Sequence, residues 1–429
     1  MNFIKKFLGG KRGTLLKNTV MLYILQFSTY LLALLVTPYE TRVLDPDMYG
    51  YLQAATSIII YFQLIIDFGF LLSATEEVSR ERNDKGMLCK IFTSVTYAKI
   101  FLAAGSFVVL FVLCQVIPAW RDKELVLILT FFASFINSLM PDFLYRGLEK
   151  MSAITIRTVL IKLFFTCAIF VFLKEPDDVW VVPALNIVGN SVALIFTYFH
   201  VIKKLDISFK MVKVRDVVRQ LKNSSFFFFS RIATTAYTSL NTVILDIIKG
   251  GGATVGYYTS ANNLITAGKN GLSPISDSLY PYMAKHKDFK LVKKVMLVAE
   301  PVIFVFCAVI FVIAEPFCAW FFGEDFREAG NVLRAMLPVG VIIFPSYVFG
   351  FPVMTAMGIS KHANYSTIFG SVFHVLLLGV LFITGNVNMM SLAISVSATE
   401  TVILAYRLIV VFKNRHLMKP QNNEERSKS

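Results

Sequence analysis

Six cations fall inside apolar runs long enough to cross a bilayer: Lys99, Lys162, Arg231, Lys269, Arg334 and Arg407. Asp67, Asp246, Asp277, Glu300 and Glu400 lie at comparable depth, and Asp142 stands near the end of another run beside Arg146. A Lys or Arg at the centre of a spanning helix costs roughly 2.5 to 3.5 kcal/mol on insertion scales, so each must pair, snorkel or face water. Lys162 is near mid-span, Lys99, Arg231 and Lys269 lie at least a turn inside, and Arg334 and Arg407 are close enough to the ends to snorkel. An internal salt bridge or an interfacial anchor accounts for any one of these charges. Together, in both halves of the chain, they exceed what packed helices require. They point to a water-filled cavity whose cations hold an anionic headgroup through charge-assisted hydrogen bonds. Asp67, set between Ile65-Ile66 and Phe68-Gly69-Phe70, and Asp246 are the candidates to carry a coupling proton or sodium ion, because an apolar setting disfavours an ionised carboxylate unless a cation is near.

Other chemistries find no support. Neither G-x-x-x-x-G-K-[ST] nor G-x-G-x-x-G occurs, so ATP hydrolysis has no phosphate cradle. The histidines His200, His286, His362, His374 and His416 are never paired at metal-ligand spacing, and Cys89, Cys114, Cys167, Cys307 and Cys318 form no C-x-x-C pair. No metal, cofactor or disulfide is expected, and the cysteines read as packing residues. Asp45-Pro46-Asp47 has a D-x-D spacing but sits in a short external loop, where it reads as a helix start. Tyr237, Tyr257, Tyr258 and Tyr280 could offer hydroxyls to sugars, although packing or an interface belt explains them better.

The elements that must position these residues follow from composition. A chain of 429 residues that is 56% hydrophobic and 16% charged is too apolar for a water-soluble domain. A span needs about 20 mostly apolar residues. Twelve stretches qualify: 18–37, 50–75, 91–117, 125–144, 153–173, 179–202, 225–248, 254–283, 295–314, 332–356, 363–384 and 389–412. Runs of this length are helices, because barrel strands are about 10 residues with alternating polarity. The first run lacks a small-residue cleavage site and is expected to be retained. Thirty lysines and arginines fall in alternate loops on one side, whereas only Arg42, Arg121, Lys123, Lys174, Lys249 and Arg327 fall on the other. This bias puts both termini in the cytoplasm. It also accounts for most of the net charge of +14, so nucleic acid need not be invoked as a partner.

The chain reads as two copies of one unit. Leu16-Lys17-Asn18 recurs as Leu221-Lys222-Asn223, Tyr49-Gly50-Tyr51 as Val255-Gly256-Tyr257, Ala119-Trp120 as Ala319-Trp320, and Gly147-Leu148-Glu149-Lys150 as Gly358-Ile359-Ser360-Lys361. Six spans per copy is an even number, so the copies share one orientation, and parallel repeats of this kind are a transporter architecture. The expected organisation is an N-terminal six-helix bundle (1–202), an interfacial linker (203–224) with Val214, Val217, Val218 and Leu221 on one face, a C-terminal six-helix bundle (225–412) and a basic tail (413–429).

The order L-K-N, P-Y-x-T-R-V-L (38–44, with Glu40 at x), Y-G (49–50) and D-F-G-F (67–70) resembles the N-terminal region of the bacterial polysaccharide-repeat flippases, the Wzx type. These belong to the superfamily that also holds the multidrug and toxin extrusion transporters. The likeness is strongest over residues 14–104. The resemblance implies an all-α polytopic protein of about twelve transmembrane helices in a V-shaped pair of six-helix bundles. It implies alternating access that carries an undecaprenyl-diphosphate-linked oligosaccharide across the inner membrane, with membrane lipids and a polysaccharide polymerase as partners. Pro38 is expected to bend the first helix so that Glu40 and Arg42 turn toward the space between the bundles. The cavity candidates are then Arg42, Lys99, Arg146, Lys162, Arg231 and Lys269. An antiporter of the same fold would be expected to prefer an acidic cavity for organic cations, and a polymerase would need a large external loop, of which there is none.

Overall fold

The structure, a computed structural model, describes residues 11–418, and the side chains of all of these except 11–20, 22, 230, 233–238 and 418. Lys5, Lys6 and most of the basic tail lie outside the described residues, as does the side chain of Tyr237. The helices are α1 (Lys11–Asp67), α2 (Phe70–Arg80), α3 (Lys85–Val116), α4 (Pro118–Arg121), α5 (Glu124–Ser138), α6 (Asp142–Gly147), α7 (Met151–Phe172) and α8 (Val181–Lys204). They continue as α9 (Val214–Lys249), α10 (Ala253–His286), α11 (Phe289–Phe322), α12 (Ala329–Phe349), α13 (Phe351–Ala356), α14 (Lys361–Ile383) and α15 (Met389–Lys413). Nine helical runs among the described residues are long and apolar enough to cross a membrane, and the first of them, Tyr23–Arg80, is 58 residues and holds two spans. Helices α9 and α10, 36 and 34 residues long, reach span length with a more polar composition, which brings the total to twelve.

Helix α1 shows why the stretch from Pro38 to Gly50 reads as it does. The chain stays helical through Pro38 and breaks at Asp45, where φ is 54° and ψ 171°. Asp45 Oδ1 accepts from the backbone N–H groups of Asp47 (2.9 Å) and Met48 (3.0 Å), capping the segment that follows. Pro46 occupies its first position, where no N–H is needed. Glu40 and Arg42 do not turn together. Two residues apart on one helix they face nearly opposite ways, Glu40 buried and Arg42 exposed. The D-F-G-F motif ends the same run: Phe68 and Gly69 both take positive φ before α2 begins.

The chain divides into two compact units, residues 1–235 with 242–256, and residues 236–241 with 257–429. In the first, Phe70, Val78, Phe92, Phe143, Ile154 and Val201 form a core at the lysine-rich end. In the second, Met283, Val292, Phe344, Val348 and Met354 do the same. The side chains left outside these cores are apolar in large number, among them Phe101, Val112, Phe196, Phe306 and Leu376. In water such a surface would aggregate; in a bilayer it faces lipid.

The linker is not a separate interfacial helix. Residues 205–213 are non-helical and strapped to α3, with the Lys210 N–H donating to Thr93 Oγ1 at 3.1 Å and Lys85 pairing with Asp206 at 2.6 Å. Helix α9 then runs unbroken from Val214 into the seventh span. Ser224 and Gln220 fix its early turns to α2, through Ser73 (2.6 Å) and Glu77 (2.8 Å).

The repeat is real but one match shifts in register. Glu149 (φ 59°) and Gly358 (φ 78°) each hold the left-handed position that ends a helical turn. Each is followed by the same bond, Lys150 N–H to Tyr145 O and Ile359 N–H to Met354 O, both 2.8 Å. Glu149 thus corresponds to Gly358. Gly147 serves a different need, since a Cβ there would lie 2.4 Å from Val78 Cγ1 of α2.

Candidate functional site

A cavity of about 470 Å³ opens within the first unit among α1, α5, α7 and α8. Its size falls in the range of about 300 to 1,000 Å³ typical of small-ligand sites. Its lining is unusual for a membrane interior, with Glu40, Gln53, Ser134, Asn137, Thr158 and Lys162 among the groups that face it. Asn186 and Asn190 of α8 complete one wall, four residues apart and so on one helical face. Several of these groups are already half-satisfied. Asn190 Nδ2 donates to Ala133 O (3.1 Å), Asn186 Nδ2 to Val182 O (3.2 Å), and Thr56 Oγ1 to Leu52 O (2.9 Å). Their remaining oxygen lone pairs are acceptors. Lys162 adds a donor and Glu40 a strong acceptor, and neither enters an ion pair among the described residues. Phe165 supplies an aromatic wall. Mixed amides and hydroxyls with one acidic and one basic side chain and an aromatic ring match a ligand rich in hydroxyl groups. Burying such a set with nothing to bond it would cost free energy.

The other predicted charges are mostly used in pairs. Lys99 is buried and donates to Ser138 O (2.5 Å) and to Asp67 Oδ1 (3.2 Å), which joins a predicted cavity cation to a predicted coupling carboxylate. In the second unit Lys269 pairs with Glu400 at 2.6 Å. Asp142 pairs with Arg157 (2.8 Å), not with its sequence neighbour Arg146, whose Nε is buried without a hydrogen-bond partner. Arg231 is half-buried in α9, and Arg42 is exposed. Only Lys162 of the six cavity candidates lines the polar cavity. Arg407 does not snorkel: buried, it donates through Nε to Ser366 Oγ and through Nη1 to Ser346 Oγ, both at 2.9 Å. Arg334 is held by Glu315 and Asn331. Tyr258 is buried and its hydroxyl accepts from Asn241 (2.9 Å), whose own Oδ1 meets His374 Nε2 at 3.0 Å, so this tyrosine is a packing residue.

A second constellation lies at the lysine-poor end of the first unit. Asp246 of α9 pairs with Lys123 and accepts from Trp120 Nε1 at 3.1 Å, the two ionic side chains being 0% and 1% exposed. Lys123 also sits 4.9 Å from the centroid of the Tyr51 ring, a cation–π contact. Beside them the two repeats touch through matched positions. A Cβ on Gly50 would fall 2.0 Å from Gly252 O, and a Cβ on Gly256 would fall 2.3 Å from Pro46 O. Gly50 follows Pro46 by four residues, as Gly256 follows Gly252, so the contact is isologous about a local two-fold. Asp47 Oδ1 accepts from the Ala253 N–H at 2.7 Å beside this contact. The repeat's Ala-Trp match diverges here: Trp120 is buried in this cluster, whereas Trp320 is largely exposed.

Three features escaped the sequence reading. Glu40 was grouped with Arg42, but two residues apart on one helix it faces away from Arg42 and into the cavity. Asn186 and Asn190 carried a readable signal, two amides at i and i+4 in an apolar run. Lys123 counted as an external loop cation, and nothing local marks its burial.

The family profile described as "Polysaccharide biosynthesis protein" matches residues 15–287. A protein of Escherichia coli K12 named for O-antigen transport is 26% identical over 412 residues, covering 94% of this chain and 98% of its own. Among solved structures, the lipid II flippase MurJ in an inward closed conformation superposes with a TM-score of 0.68 at 12% identity, over 93% of this chain and 89% of its own. An inward-facing multidrug resistance transporter of the MATE family gives a TM-score of 0.67 at 14% identity, over 92% and 98%. At these identities the structural likenesses establish the fold.

Proposed function

This chain belongs to the polysaccharide biosynthesis protein family, and from that premise we propose that it is a flippase for a lipid-linked oligosaccharide. It carries an undecaprenyl-diphosphate-linked repeat unit across the bacterial cytoplasmic membrane by alternating access, with both termini cytoplasmic, and delivers it to a polysaccharide polymerase outside. The observation that carries this reading is the polar cavity of the first unit. A sugar's hydroxyls both donate and accept, so they suit a wall of amide and hydroxyl oxygens with Lys162 and Glu40 at hand. Organic cations, the cargo expected of an antiporter of this fold, would find Lys162 repulsive. No bond in the cargo is made or broken. The protein's task is to replace the water that the sugars lose on entering a region of low dielectric, while the prenyl chain stays in lipid.

The cycle draws on a gradient of protons or sodium ions through a carboxylate whose partner changes between states. Asp67, held by Lys99, and Asp246, held by Lys123, are the candidates, because neutralising either would release the cation that now pairs with it. The test of function is made in cells. With native expression and membrane insertion confirmed by immunoblot, Lys162→Ala and Gln53→Leu should each lower surface glycan and accumulate its lipid-linked precursor on the cytoplasmic leaflet. Undiminished surface glycan in both variants would remove the cavity from the cargo's path.

A further inference from the structure

We propose that the groove between α7 and α8 is a binding site for one acidic phospholipid of the cytoplasmic leaflet. The groove has a volume of about 550 Å³ and lies in the first unit. Its walls are Ile156, Leu160 and Phe164 from α7 and Val192 and Phe196 from α8, all exposed apolar side chains. One end is polar, built by Tyr145, Arg157 and His200. That end belongs to the lysine-rich side, which the charge bias assigns to the cytoplasm.

Two observations identify the occupant. The first is length. The groove runs from Ala153 to Phe164 on α7 and from His200 back to Gly189 on α8. Eleven residues at about 1.5 Å each give roughly 16 Å, which matches half of a hydrocarbon core of about 30 Å. An acyl chain of one leaflet fills such a groove from the interface to the bilayer midplane. The second is charge. Arg157 Nη2 is bonded to Asp142 at 2.8 Å, but its Nε is buried and has no hydrogen-bond partner. The Tyr145 hydroxyl meets His200 Nδ1 at 2.8 Å, which fixes the imidazole at the groove's mouth. Lys150 and Lys204 lie near enough to His200 to act on its charge. Arg157, Lys150 and Lys204 bring positive charge to the mouth, with Asp142 paired to Arg157, and the unbonded guanidinium N–H is a donor to a phosphate oxygen. Ile161 borders this groove and the polar cavity on adjacent faces of α7. A lipid seated here therefore braces the helix that carries Lys162.

The test uses the full-length protein purified in detergent, delipidated, and titrated with phosphatidylglycerol or phosphatidylcholine while native mass spectrometry counts bound lipid. Wild type should take up one phosphatidylglycerol at least about tenfold more tightly than phosphatidylcholine, the scale of one charge-assisted hydrogen bond. Arg157→Gln should lose that preference, and Arg157→Lys should keep part of it. Leu160→Trp leaves the charged mouth intact but fills the groove, and should weaken binding of both lipids. Equal affinity for the two lipids in wild type, or wild-type binding in both Arg157→Gln and Leu160→Trp, would overturn the site. Displacement of phosphatidylglycerol by inorganic phosphate alone, or preferential capture of an undecaprenyl phosphate, would also overturn it by assigning the mouth to a different ligand.

Discussion

Asp246→Asn should loosen the packed cluster at the lysine-poor end of the first unit. In the present conformation the Lys123 ammonium is 1% exposed, and its compensation is the Asp246 carboxylate with the face of Tyr51. Removing one partner of a buried pair costs about 3 to 5 kcal/mol, because the other charge stays desolvated. At 1.4 kcal/mol per tenfold, that penalty shifts the equilibrium away from the packed arrangement of this cluster by a factor of roughly a hundred to several thousand. The reporter is a single cysteine at Val255, a buried residue next to the Gly50·Gly256 contact, in a background with the five native cysteines replaced. Labelling of Val255→Cys by a membrane-impermeant maleimide added outside should be slow in the parent and rise strongly with Asp246→Asn. The paired change Lys123→Met with Asp246→Leu removes both charges and should keep labelling slow while abolishing export, since apolar isosteres hold a closed interface at least as well as a buried ion pair. Labelling in Asp246→Asn at the parent's rate, with the protein folded and exported glycan normal, would refute the idea that this pair holds the cluster packed.

Three further outcomes follow from named contacts. Gly256→Ala places a Cβ 2.3 Å from Pro46 O, an overpacking that costs about 1 to 3 kcal/mol and should raise Val255→Cys labelling, while Ala at Gly268, which has open space around it, should leave labelling unchanged. Asp67→Asn leaves Lys99 with the Ser138 carbonyl, so gradient-stimulated flipping in vesicles should fall while downhill exchange persists; stimulation at the wild-type level would pass the coupling role to Asp246. Arg407→Ala strips the donors that hold Ser346 and Ser366 in the second unit, and should lower thermal stability by about 1 to 3 kcal/mol in detergent, more than Arg327→Ala, whose pair with Glu324 is solvent-exposed.

Much of the architecture was legible because membrane spans announce themselves by length and apolar content. The two-fold repeat was legible because glycines matched in sequence, Gly50 and Gly256, touch in space. What could not be read was partnership across sequence distance. Lys99 and Asp67 were each flagged as costly charges, but nothing in the sequence between two residues 32 apart says that they meet. Lys123 and Asp246 were assigned to different roles and turn out to be one pair, because burial at a loop end is set by tertiary packing and leaves no periodicity. Glu40 shows the finer limit: it and Arg42 share one motif, but a helix that runs on to Asp45 turns them to nearly opposite faces. The register of Gly147 against Gly358 failed for a related reason. One glycine permits close helix contact and the other a left-handed turn, two needs that a sequence letter does not distinguish.

The central claim is that the polar cavity carries sugars of a lipid-linked oligosaccharide across the bilayer. It is tested most directly by reconstituting the purified protein into vesicles that contain the undecaprenyl-diphosphate-linked glycan extracted from cells depleted of it. The fraction of glycan that becomes accessible to an impermeant, sugar-oxidising reagent is then followed over time. Wild type should transfer glycan between leaflets well above protein-free vesicles, and Lys162→Ala should slow that transfer without reducing the amount of protein incorporated. Transfer no faster than in protein-free vesicles, or a wild-type rate in Lys162→Ala, would contradict the account.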